Sequence, residues 1–193
     1  MRVAARRAAA APPATDFLEP LVGRAKLSIQ IREAGELDAA SLAGIYNQGI
    51  ADRGATFETE LRTPADLAAK LAERERYPLL VITEEDAVLG WAGLSTYRAR
   101  ACYAGIAEFS IYLDRRARRR GLGRQLLTAL IDVARERGYW KLVSRIFPSN
   151  AASRALCRSC GFREVGVYEK HGRLDGEWRD VVIVERLIPE NVT

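Results

Sequence analysis

Residues 106–138, IAEFSIYLDRRARRRGLGRQLLTALIDVARERG, constrain the fold more than any other part of the chain. The stretch opens as a strand: Phe109, Ile111 and Leu113 alternate with Glu108, Ser110 and Tyr112, so the two sets point to opposite faces. It closes as a helix, because Leu126, Leu127, Leu130, Ile131 and Ala134 fall on one side and Gly138 supplies a stop. Between the two, six arginines occupy the ten residues 115–124, with Gly121 and Gly123 among them. A strand that runs through such a loop straight into an amphipathic helix needs a sheet with that helix packed on it. The loop is also suited to an anion. Glycines let backbone N–H groups approach a ligand, and the helix start adds unpaired N–H groups and the positive end of its dipole. Arginines add charge-assisted bonds to phosphate oxygens. Alone, the loop fits a phosphorylated small molecule and a solvated basic turn about equally, and a nucleic-acid backbone is a third reading.

The flanking sequence supplies the other elements. LSIQIRE alternates Leu27, Ile29 and Ile31 with polar residues, a strand period, and Leu37 to Ile50 has a helical one. In RTPADLAAKLAERE, Thr63 can cap a helix that starts at Pro64 and carries Leu67 and Leu71 on one side. LLVITEEDAVLGWAGLSTY reads as a hairpin turning at Glu85 and Asp86. After Gly138 come a strand, KLVSRIF, a helix from Asn150 to Cys160 closed by Gly161, and two strands, EVGVYEK and WRDVVIVERL. Trp91 and Trp178 read as core or interface aromatics, and the single histidine, His171, receives no role.

Charge and cysteine content narrow the function. The net charge of +5 is uneven: residues 1–26 carry five basic and two acidic side chains, leaving 25 basic and 23 acidic beyond them. A folded part so balanced lacks the footprint of a dedicated nucleic-acid binder. Cys102, Cys157 and Cys160 are too few and odd in number for a secreted disulfide framework. The C-x-x-C has no second pair, so no metal site is expected. No run approaches the ~20 apolar residues of a membrane span. The expectation is a cytoplasmic protein that binds neither membrane nor nucleic acid, with one domain over 27–188, a disordered extension over 1–26 and a tail over 189–193.

Arg118-Arg119-Arg120-Gly121-Leu122-Gly123 fits the R/Q-x-x-G-x-G/A motif of the Gcn5-related N-acetyltransferase (GNAT) superfamily, and NAASRALCRSCGF resembles its N-x-x-A-x-x-x-Y-x-x-x-G-F segment. TFETELRTP, RERYPLLV, YRARACY and EFSIYLDRRARRRGLG resemble the phosphinothricin acetyltransferase subgroup, and HGRLDGEWRDVVIVERL looks like the branch associated with arsinothricin resistance. The resemblance implies a single α/β domain with a mixed, mostly antiparallel sheet of about seven strands and about four helices. It implies acetyl-CoA as cosubstrate, a homodimer, and acetylation of the α-amino group of phosphinothricin, methionine sulfoximine or arsinothricin. Rival readings are another amine, such as a protein N-terminus, and a nucleic-acid module built on the arginine loop.

The same resemblance distributes roles. Glu108, on the strand entering the loop, is the general base. Ile111 and Leu113 lie on the backbone that takes the pantetheine arm as a strand partner would, where a main-chain N–H can meet the oxyanion. Arg118, Arg119, Arg120, Gly121, Leu122, Gly123 and Arg124 hold the pyrophosphate, with Asn150 and Ser153 near the pantetheine; Asn150 also reads as a helix cap. Arg98 and Arg100 match a basic pair near the substrate, suited to an oxyanion, with Phe57 and Tyr103 as pocket walls. Where the superfamily pattern has tyrosine as general acid this chain has Cys157, which is either a proton donor or a packed thiol.

Overall fold

The computed structural model describes residues 28–192, so the extension expected over 1–26 lies outside the described residues. Seven strands form one sheet in the order β1-β2-β3-β4-β5-β7-β6. They are β1 (Ile29–Glu33), β2 (Leu79–Glu84), β3 (Ala87–Thr96), β4 (Ile106–Leu113), β5 (Lys141–Ile146), β6 (Arg163–Leu174) and β7 (Glu177–Leu187). The helices are α1 (Ala39–Ala51), α2 (Pro64–Ala72), α3 (Leu122–Glu136) and α4 (Ala151–Ser159). Neighbouring strands are antiparallel except β4 and β5. The single domain, its sheet and its four helices match the expected architecture.

Each face of the sheet carries its own apolar layer. The stripe Leu126, Leu127, Leu130 and Ala134 of α3 is fully buried, with Leu80, Ile82, Leu94, Phe109 and Leu142 in the same core. On the opposite face α1 and α2 bury Leu42, Ile45, Leu67 and Leu71 together with Trp91. The Trp91 indole N–H donates to the Leu42 carbonyl at 3.2 Å, which satisfies the polar atom of the largest buried side chain. Helix α2 begins as its sequence requires: the Thr63 hydroxyl accepts from the Asp66 N–H, and Asp66 accepts in return from the Thr63 N–H.

One local reading changes and three are made specific. Helix α1 starts at Ala39 after a 3-10 turn over Glu36–Asp38, and Leu37, read as its first residue, is 99% exposed. The face of β4 that carries Glu108, Ser110 and Tyr112 is packed at its end, where Tyr112 stands edge-on against Tyr46 and beside Trp91. Trp178 is exposed, with the Arg173 guanidinium 4.5 Å from its ring, so only Trp91 is a core tryptophan. Pro189–Asn191 is a 3-10 turn, and the Asn191 amide donates to the Arg135 and Tyr139 carbonyls at 2.8 Å each.

Candidate active site

The site follows from one interruption in the sheet. β4 pairs with β5 through Ile106, Ala107 and Glu108 only. Beyond that point β4 continues to Leu113 and β5 to Ile146, and the strands separate. The last tie is the Ser144 hydroxyl, which donates to the Phe109 carbonyl at 2.9 Å. From Ser110 to Leu113, β4 keeps its β3 partners but has no β5 partner. Two clefts open along this edge, and both are lined by Ala55, Ile111, Tyr112, Asn150 and Ser153.

The larger cleft, of about 760 Å³, lies toward the arginine loop and includes Leu113, Arg118, Arg119, Gly121, Gly123 and Arg124 in its lining. Gly121 caps α3 at φ +76°, a left-handed conformation that a side chain disfavours. No side chain caps the helix there, and the first backbone bond back into it is Gln125 N–H to Gly121 carbonyl at 3.4 Å. The N–H groups ahead of it are free for a ligand. At Gly123 a Cβ would stand 3.3 Å from Leu156 and 3.4 Å from Leu113, so glycine keeps the helix start close to β4.

Most of the arginines are already paired. Arg115 and Arg118 both contact Asp52, Arg116 contacts Asp114, and Arg120 contacts Glu84. Arg119 and Arg124 make no ion pair among the described residues, and both line the cleft. Two expected phosphate contacts are therefore placed elsewhere. Arg120 is turned to Glu84, and Leu122 is buried in the α3 core; neither lines the cleft. Asn150 is a cap first: its Oδ1 accepts from the Ser153 N–H at 3.0 Å, and its Nδ2 donates to the Gly54 carbonyl at 3.1 Å.

The smaller cleft, of about 280 Å³, contains Glu108, Tyr46, Thr56, Phe57, Glu58, Tyr112, Arg145 and His171. The Glu108 carboxylate is held by Arg145 in a fork: Nε donates to Oε1 at 3.1 Å, and Nη2 contacts Oε2. Glu58 pairs with Arg62 at 2.5 Å. Phe57 stands edge-on to Phe147, with centroids 4.9 Å apart, as a wall. Burial, then the Tyr46 hydroxyl, hold the Tyr112 phenol well above its usual range. Burial also pushes the Cys157 thiol up to about 12. Cys157 is nearly fully buried, yet it lines the smaller cleft, so the thiol is packed at the wall of the site.

Three expected substrate contacts are not brought to either cleft. Arg98, Arg100 and Tyr103 belong to the β3–β4 connection, where the Arg98 guanidinium sits 5.3 Å from the Tyr97 ring and 5.8 Å from the Tyr103 ring. Conversely, sequence reasoning passed over Arg145, His171, Tyr46 and Thr56. A charged residue in the apolar strand KLVSRIF was a usable signal for Arg145; nothing local marked the other three. Among the described residues no three His, Cys, Asp or Glu side chains gather as a metal site would require, and no helix is long and apolar enough to cross a membrane.

Comparison with known proteins agrees with this geometry. The L-methionine sulfoximine/L-methionine sulfone acetyltransferase of Pseudomonas aeruginosa is 35% identical over 165 residues, covering 82% of this chain and 94% of that protein. The crystal structure of a ribosomal-protein-alanine N-acetyltransferase from Brucella melitensis superposes with a TM-score of 0.79 at 35% identity, covering 82% and 99% of the two chains. A phosphinothricin acetyltransferase from Sinorhizobium meliloti, solved in complex with acetyl-CoA, gives 0.77 at 30% identity, covering 82% and 88%. Residues 46–162, which hold the second half of α1, the splayed strands, the arginine loop and α4, match the model of the acetyltransferase (GNAT) family. With an unpaired strand edge, a glutamate where that edge begins and a glycine-capped helix start beyond it, this chain is a GNAT-family acetyltransferase.

Proposed function

We propose that the enzyme acetylates the α-amino group of a small amino-acid analogue of the methionine sulfoximine, phosphinothricin or arsinothricin type, and so disarms it. The observation that carries this reading is the position of Glu108. It is the last β4 residue paired to β5, its carboxylate lines the smaller cleft, and the shared Ile111–Tyr112 segment leads from there to the larger one.

Acetyl-CoA, when bound, supplies the thioester carbonyl that the amine attacks. The free N–H groups of the α3 start, with Arg118, Arg119 and Arg124, hold its pyrophosphate. The Ser110–Leu113 backbone takes the pantetheine amides where β5 has left, with Ser153 at the same wall. Glu108 accepts the proton of the incoming ammonium, and the thiolate that leaves is reprotonated from water. A free amino acid suits a cleft of about 280 Å³ better than a peptide does, which weighs against a protein N-terminus. The enzyme is cytoplasmic in this reading. It is also a homodimer, for which Val165, Val167, Tyr168 and Trp178 offer exposed apolar surface on the β6–β7 hairpin.

Thiol release from acetyl-CoA should be measured with phosphinothricin, methionine sulfoximine, arsinothricin, ordinary amino acids and an alanine-terminated peptide. Release with one or more of the analogues well above the rest is expected. Release with the peptide alone would sink the assignment.

A further inference from the structure

His171 lines the smaller cleft from β6, three places along the sheet from Glu108 on β4. A regular strand would not put it there. Gly172 faces Phe57, since a Cβ on it would stand 2.8 Å from that ring. Neighbouring residues of a strand point to opposite faces, so His171 should point away from Phe57. Its ring is instead 6.4 Å from the Phe57 ring and 5.3 Å from that of Tyr168.

The cause is a bulge. Tyr168 pairs with Val181 and Gly172 with Arg179, so Glu169, Lys170 and His171 stand opposite the single residue Asp180. The Asp180 carboxylate fixes the extra residues by accepting the Lys170 N–H at 2.7 Å. Lys170 is held at φ +48°, a left-handed conformation that a lysine seldom adopts. Bulges beside active sites re-aim side chains, and strained backbone gathers at ligand sites.

The re-aimed imidazole has no hydrogen-bond partner among the described residues; its contacts are the two aromatic rings. In either neutral tautomer one ring nitrogen carries an N–H. With the α-amino group at Glu108, the side chain of a bound amino acid extends across β5 toward β6. Those two strands are two spacings apart, about 10 Å between backbones, which a methionine-length side chain and an imidazole span between them.

We propose that His171 is a specificity-determining residue whose N–H donates to an oxygen on the tetrahedral end of the substrate's side chain. Methionine sulfone, methionine sulfoximine and phosphinothricin all carry such an oxygen, and methionine does not. The substrate's charges fall to other groups, among them the basic pair that the resemblance sets at the β3–β4 connection. What His171 adds is recognition of an acceptor that need carry no charge. This rests on the small amino-acid reading above and deepens it.

The test is kcat/KM for L-methionine sulfone and for L-methionine, two substrates of equal charge that differ by two oxygens. It is run on the wild type, His171→Phe, His171→Asn, His171→Gln and Asp180→Ala. His171 is exposed, and phenylalanine keeps a ring against Phe57, so the fold should survive; CoA titration and gel filtration check fold and assembly. The wild type should prefer the sulfone, and His171→Phe should lower that preference about 3- to 10-fold, the loss of one neutral hydrogen bond. Asparagine or glutamine, whose amide N–H stands near one ring nitrogen or the other, should restore part of it. Asp180→Ala, which keeps His171 but frees the bulge, should lower the preference as well. A histidine that only packs would lower both substrates alike. An unmoved ratio in His171→Phe, or a wild type indifferent to the two oxygens, overturns the proposal. Wild-type inactivity on every α-amino acid would defeat the substrate reading and this one with it, whereas activity with an unmoved ratio defeats this one alone.

Discussion

The two clefts that meet at Ile111 and Tyr112 are built on different principles. The larger is made mostly of backbone: an unpaired strand edge, a glycine-capped helix start and a helix held close by the absence of a Cβ at Gly123. The smaller is made of side chains from α1, the loop after it, β4, β5 and the β6–β7 hairpin, brought together by the sheet. A backbone site recognises what every ligand of its class shares, here a pyrophosphate and a chain of amides. A side-chain site is free to differ from one relative to the next without disturbing the other.

The largest effect expected from breaking this division is in the side-chain cleft. Glu108→Gln keeps the size and hydrogen-bonding reach of the residue but removes the base, so turnover should drop about 10²- to 10⁴-fold. CoA affinity, followed by calorimetric titration, should be nearly unchanged. Equal losses in both would mean that the clefts are not separable, and near-normal turnover would remove Glu108 from the chemistry.

A middle-sized effect is expected on the backbone side. Gly121→Val puts a β-branched residue at φ +76°, which costs about 1–2 kcal/mol and should move the loop. The matching outcome is a rise of about tenfold or more in the Kd for CoA, with KM for the amine changed much less. If KM for the amine rises equally, the division between the clefts fails from the other side.

The smallest effect concerns the anchor of the loop. Asp114 is 7% exposed; it accepts from the Arg116 backbone and guanidinium at 2.9 Å and from the Gln48 amide at 3.0 Å. The Arg116 guanidinium holds its carboxyl at about 2, below the ordinary ~3.9. A depressed carboxylate contributes stability that is present above about pH 4 and is lost as pH falls toward 2. Chemical denaturation across that range should show Asp114→Asn with a flatter acid limb than the wild type. An identical acid limb would mean that the loop is anchored by other contacts.

Legibility in the sequence follows the same division. The leucine stripe of α3, the Thr63–Pro64 start of α2 and the glycines of the loop are local signals, each readable within one or two turns of chain. Glu108 could be found because it stands on the strand that enters the loop. Its partner Arg145 is 37 residues away and meets it only because β4 and β5 lie side by side. Thr56 and His171 reach the cleft from still more distant segments. Counting arginines in 115–124 did not show which of them are neutralised; that depended on Asp52 and Glu84, acids that the fold brings from the end of α1 and from β2. Arg98 and Arg100 carry the charge expected of a substrate contact, yet the β3–β4 connection sets Arg98 between tyrosines and neither arginine lines a cleft.

The gap beside Ser110–Leu113 has a consequence for the life of the protein in a crowded solution. A strand with unsatisfied N–H and carbonyl groups at the rim of a sheet is a template for another polypeptide, and proteins blunt such rims with charge, bulges or covering loops. Here the bare edge is in the middle of the sheet, walled by Ala55, Asn150 and Ser153, with Asn150 tied to the Gly54 carbonyl. A slender chain with few amides can slide in from the loop end. A second protein strand, with side chains on both faces, meets those walls. The sheet can therefore stay open at its centre for a small ligand without acquiring the stickiness of an open edge.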